Sequence, residues 1–120
     1  MLLCKRKHET RRAKTMTQNE LIQKIKERLQ ELYGARFRGL VLYGSVARGE
    51  ADDDSDLDLL CLLEGPVDTV KEIRPITSAT YPLQLKYLDR MFDIKAVSIE
   101  EFEKAVIPLL IEARKEGVPV

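Results

Sequence analysis

The stretch Leu40–Leu60, LVLYGSVARGEADDDSDLDLL, decides how the whole chain is read. An apolar run ends abruptly at Gly44-Ser45. A basic turn follows, and the aspartates Asp52, Asp53, Asp54, Asp56 and Asp58 then arrive before the chain turns apolar again. LVLY closes a short buried strand expected over Phe37 to Tyr43. A second strand is expected from Asp56 to Leu63, stopping at Gly65-Pro66 because proline cannot continue a ladder. Side chains on a strand alternate between faces. Asp56 and Asp58 therefore share one face, while Leu57, Leu59, Cys61 and Leu63 share the other.

Two carboxylates that close repel each other unless a cation lies between them. Oxygen ligands without histidine or cysteine suit Mg²⁺, with Mn²⁺ as a substitute. Asp52, Asp53 and Asp54 precede the strand and read as solvated loop residues. Gly44 lets the backbone come close to a ligand, and Ser45 can cap the helical turn VAR that follows. Exposed amides at such a turn form a cradle for phosphate. A phosphate cradle beside a carboxylate pair points to nucleotide chemistry, with a triphosphate bridged by metal. A second metal needs a third carboxylate. Asp93, flanked by Phe92 and Ile94 in RMFDIKAV, is the best candidate, and Asp89, four residues earlier, is the alternative.

Working outward, Thr17 and Glu20 fit a capping box. It opens a helix with Leu21, Ile22, Ile25, Leu29 and Leu32 at helical spacing, ended by Gly34. From Val67 to about Tyr87 the pattern is helical but interrupted. Pro75 and Pro82 predict one helix before Pro75 and an irregular piece after it. A third strand is expected from about Leu88 to Val97. Ser98 and Glu101 form a second capping box, starting a helix that runs to about Lys115, bent at Pro108 and closed by Gly117. The expected class is α/β (α+β): a small mixed sheet flanked by helices. The apolar run VIPLLI reads as the buried stripe of the last helix, or as a partly exposed face for a partner or a homodimer.

The chain has 120 residues, which suits one domain, and no apolar run approaches the ~18 residues of a membrane span. Its two cysteines, Cys4 and Cys61, read as free thiols of a reducing, cytoplasmic compartment. Of 20 basic and 20 acidic residues, six basic and one acidic lie in 1–15, leaving 14 against 19 in the remainder. Residues 1–15 read as a disordered basic extension and 16–120 as the single domain. An acidic domain argues against duplex DNA as partner, because phosphate contacts need a basic footprint. The sole histidine, His8, lies in the extension, so His-based general-base chemistry is not expected in the domain.

GSVARGEADDDSDLDL resembles the signature of the nucleotidyltransferase superfamily that includes DNA polymerase beta: Gly-Ser, a spacer, then Asp-x-Asp. The compact form and short chain resemble the minimal nucleotidyltransferases (MNT proteins), as does the ending VSIEEFEKAVIPLLIEARKEGV. The resemblance covers residues 17–119. It implies a mixed sheet with flanking helices, two Mg²⁺ ions and ATP as donor. It assigns Gly44 and Ser45 to the triphosphate and Asp56 and Asp58 to both metals, with Asp93 joining them on one. Arg48 matches the family arginine and either touches phosphate or anchors the turn. The resemblance also implies a partner, a helical HEPN toxin, whose tyrosine hydroxyl accepts AMP in a toxin–antitoxin system. Two other readings stand beside it: a non-catalytic nucleotide-binding antitoxin that neutralises by covering its partner, and a transferase acting on a small molecule or RNA.

Overall fold

The computed structural model describes residues 2–47, 49, 56–87, 90–105 and 107–120, with backbone alone for 2–17 and for Ser45. The first helix, α1 (Leu2–Tyr33), ends where Gly34 turns left-handed at φ 56°. Thr17 was expected to start it, yet the backbone continues helically through that position. The preceding segment is rich in Lys and Arg, which are good helix formers. A 3-10 turn (Gly34–Arg36) leads into β1 (Phe37–Tyr43), on the bounds its apolar run suggests. The short helical turn α2 (Gly44–Ala47) follows, then β2 (Leu57–Leu63).

The segment after β2 departs from expectation. A single helix, α3 (Thr69–Lys86), carries both Pro75 and Pro82 inside it. Each interior proline removes one helical bond and costs about 3 kcal/mol. Against that, burying Ile76 and Leu83 contributes about 1.5–3 kcal/mol each. Asp68, as N-cap accepting from the amides of Val70 and Lys71, adds about 1 kcal/mol. The carbonyls left without donors belong to Lys71 and Ser78, both on exposed residues where water can satisfy them.

β3 (Phe92–Ser98) starts four residues later than the pattern suggested. The expected long last helix is two: α4 (Ile99–Lys104) and α5 (Pro108–Glu116). Ser98 does cap α4, its Oγ accepting from the Glu101 amide at 3.0 Å. Ala105 then turns left-handed at φ 48°, and Pro108 occupies the first turn of α5. Proline is well suited to that position, since its missing N–H has no helical partner there. After Gly117 the chain adds a short strand the sequence did not announce, β4 (Val118–Pro119).

The four strands form one mixed sheet in the order β3-β2-β1-β4. β2 runs antiparallel to β1 and parallel to β3. Leu40, Leu42, Leu57, Leu59, Cys61, Leu63, Ile94 and Ala96 pack on one face with Leu21, Ile25 and Leu29 of α1 and Ile76 and Leu83 of α3. Val41, Tyr43, Leu60, Leu62 and Val97 pack on the other with Leu110 and Ala113 of α5. In the run Ile107–Ile111, Leu110 is buried while Ile107 and Ile111 are each 49% exposed, so it serves both as core stripe and as surface. Among the described residues no helix is long and apolar enough to cross a membrane.

Cys61 is fully buried, and burial pushes its thiol up to about 12. The thiolate is the reactive form. In a Cys4→Ser variant, Cys61 should therefore react with a thiol reagent at pH 8 at least about a hundredfold more slowly when folded than in urea. Equal rates would mean that the β2 core face is open.

Candidate active site

The sheet brings the candidate acids to one end. β1 finishes there and β2 and β3 begin there. Across the three strands the register pairs Tyr43 with Asp58 and Asp58 with Asp93. Leu57, Leu59 and Ile94 face the α1–α3 side, so strand alternation turns Asp58 and Asp93 to the opposite face. Leu60, Leu62 and Val97 continue that face under α5. The acids thus form the outer rung of a face whose inner rungs are core. Asp56 sits one residue before β2, where its carboxylate is exposed. The Leu57 amide bonds to the Met91 carbonyl at 3.0 Å and ties the starts of β2 and β3 together. Gln84, at the end of α3, donates to the Arg90 carbonyl at 2.7 Å and so fixes the turn that leads into β3.

Gly44 is the second element. It has φ 77°, a left-handed conformation that favours glycine. A Cβ there would lie 3.2 Å from the Asp58 carboxyl carbon and closer still to its Oδ2. The glycine therefore keeps the first turn of α2 against Asp58 with no side chain between. Ser45 belongs to that turn by its backbone. Arg48, Asp89 and Asp52–Asp54, read above as phosphate contact or turn anchor, alternative third carboxylate and loop acids, lie outside the described residues.

Two residues of the site were not singled out from the sequence. Lys95 pairs with Asp93, Nζ to Oδ2 at 2.7 Å. Its pKa is raised, first by that bond to Asp93 and also by the neighbouring Tyr43 hydroxyl. Tyr43 is 6% exposed. Burial raises its phenol pKa, Asp58 and Asp93 raise it further, and Lys95 opposes the shift. Lys95 follows Asp93 by two, so strand alternation alone carried the signal. Tyr43 was hidden in an apolar run and read as core.

The donor chemistry suits a hard divalent cation. Asp56, Asp58 and Asp93 offer carboxylate oxygens at one sheet end, Cys61 faces the other way, and the Gly44 backbone packs directly against the Asp58 carboxylate. The side chains are not drawn into a finished cage: among the described residues no three His, Cys, Asp or Glu groups converge on a metal position. Repulsion between like charges and the pull of Lys95 on Asp93 both act against such convergence.

Residues 22–117 match the nucleotidyltransferase domain family. A Methanocaldococcus jannaschii protein provisionally named a protein adenylyltransferase is 32% identical over 68 residues, spanning 57% of this chain and 68% of its own. Among solved structures, a toxin–antitoxin crystallised with AMP-PNP overlays at TM-score 0.55 and 21% identity, covering 81% of this chain and 69% of that one. A Sulfolobus solfataricus protein described provisionally as a nucleotidyltransferase overlays at TM-score 0.56 and 16% identity, covering 88% and 84%. At those identities the two structures show a shared fold.

Gly44→Ala tests the glycine–carboxylate contact. The variant must either displace Asp58 or move the turn, and it adds left-handed strain of about 1 kcal/mol. We expect a small fall in the urea midpoint with a tenfold or greater loss of ATP binding by calorimetry, roughly the 1.4 kcal/mol that equals one decade. Unchanged ATP binding would separate Gly44 from the nucleotide.

Proposed function

Because this chain belongs to the nucleotidyltransferase domain family and is an enzyme of that class, we propose that it moves AMP from ATP to a hydroxyl of a protein partner. The observation that carries this reading is the row Tyr43–Asp58–Asp93 with Gly44 against Asp58. It joins a close backbone approach suited to phosphate with carboxylates suited to a cation. In the proposed assignment Asp56 and Asp58 hold two Mg²⁺ ions, Mn²⁺ substituting, and Asp93 shares one of them. Bound there, the ions would offset the triphosphate charge and make the acceptor hydroxyl easier to deprotonate.

The chain's own residues have simpler tasks. In the proposal the turn Gly44–Ala47, packed beside Asp58, borders the triphosphate whose cation Asp58 shares. The pairing of β2 with β3 sets the backbones of Asp58 and Asp93 side by side, and in the proposed reaction the acceptor oxygen attacks the α-phosphorus in line while pyrophosphate leaves. The buried face under α5 excludes water from one side of the row. Arg48 is retained in the proposal as a phosphate contact or an anchor of the turn.

A protein acceptor is supported by the adenylyltransferase name of the archaeal relative and by the toxin–antitoxin neighbour. The finer reading is a HEPN-type toxin whose tyrosine takes the AMP, with this chain as antitoxin. The exposed Ile107 and Ile111 offer apolar surface for such a partner or for a homodimer.

The test is intact mass of this chain and its partner after incubation with Mg²⁺ and ATP. The partner should gain one or more AMP units. Asp58→Asn should slow the gain by about 10²–10³-fold, the scale of losing several kcal/mol of charge stabilisation. A partner that is inhibited yet gains no mass would replace the catalytic reading with neutralisation by binding. Transfer only to an added RNA or small alcohol would replace the acceptor.

A further inference from the structure

The lysine inside the acid row is the feature the proposed reaction does not use. Lys95 lies two residues after Asp93 on β3, on the same sheet face, with its Nζ 2.7 Å from Asp93 Oδ2. The register sets its backbone beside Leu60, one rung inward, so its stem rises toward the acids rather than away from them. Tyr43, the residue paired with Asp58 on the far side of β2, is near enough to help raise the pKa of the Lys95 ammonium. One cation thus already sits on a carboxylate proposed to share another. The side chains of Lys95 and Asp93 are 36% and 55% exposed, so the pair is held without being locked in.

We propose that Lys95 is a positioning residue that competes with a divalent cation for the Asp93 carboxylate. Resting on the metal reading of this site, the inference gives the third carboxylate two alternative counter-charges. While Lys95 holds Asp93, the repulsion among the acids is partly neutralised and a bare cation gains less by entering. A cation that arrives with a triphosphate makes additional contacts and can take Asp93 from the lysine. The site therefore discriminates against metal without nucleotide.

The experiment measures Mn²⁺ binding to the full chain by electron paramagnetic resonance, first without nucleotide and then with a non-hydrolysable ATP analogue. Lys95→Met keeps the stem and removes the charge. It should tighten Mn²⁺ alone by about three- to fivefold, the scale of an exposed ion pair. Lys95→Arg should stay near wild type. With the analogue present, wild type and Lys95→Met should differ less. Lys104→Met removes the same charge from α4, near Gly65 at the opposite end of the sheet, and should change nothing. A misfolded variant would lose binding, so a gain in Lys95→Met reports the lysine itself. Equal or weaker Mn²⁺ binding in Lys95→Met, or an equal gain in Lys104→Met, overturns the proposal. Asp58→Asn separates the two readings. If it weakens Mn²⁺ while Lys95→Met does not tighten it, only the lysine's role falls. If Asp58→Asn leaves Mn²⁺ unchanged, or no form binds it, the metal assignment falls and the lysine's role with it.

Discussion

The register of β2 is the constraint on which the site depends. Its seven residues contain six apolar side chains and one carboxylate, Asp58, and both faces of the strand are buried. Strand faces alternate with a period of two, so a slip of one residue would drive Asp58 into the core beneath α1 and α3. The leucines would be buried in either register, so it is the cost of burying the Asp58 charge in that apolar core that forbids the slip. Core packing therefore aims the carboxylate, and the antiparallel and parallel neighbours of β2 deliver Tyr43 and Asp93 to the same rung.

Much of this was legible in the sequence because it follows from short-range rules. Phe37–Tyr43 and Leu57–Leu63 are apolar runs bounded by turn residues, and their alternation already divides Asp58 from Leu57 and Leu59. Asp93 stood out as a charge between Phe92 and Ile94, and the parallel pairing does set it beside Asp58. Its role, like those of Asp56, Gly44 and Ser45, remains a proposal resting on chemistry and resemblance.

The failures have a common origin. Pro75 and Pro82 are local breakers, but α3 is held by burial of Ile76 and Leu83 against distant elements, which no local rule registers. Pro108 was read as a bend, yet Ala105 had already ended one helix and the proline begins the next. β4 is too short to carry a pattern and exists because Val118 and Pro119 meet Leu42 and Val41 across the sheet. Lys95 and Tyr43 escaped notice because their importance lies in what faces them on adjacent strands.

β3 is an edge: among the described strands it pairs only with β2. An edge strand with free backbone donors and acceptors invites another chain to add to the sheet, and charged side chains are a common deterrent. Asp93 and Lys95 are the two charges on this strand. The pair at the rim of the candidate site is therefore also the kind of charge that discourages strand-by-strand association, so one pair of side chains meets two separate physical demands.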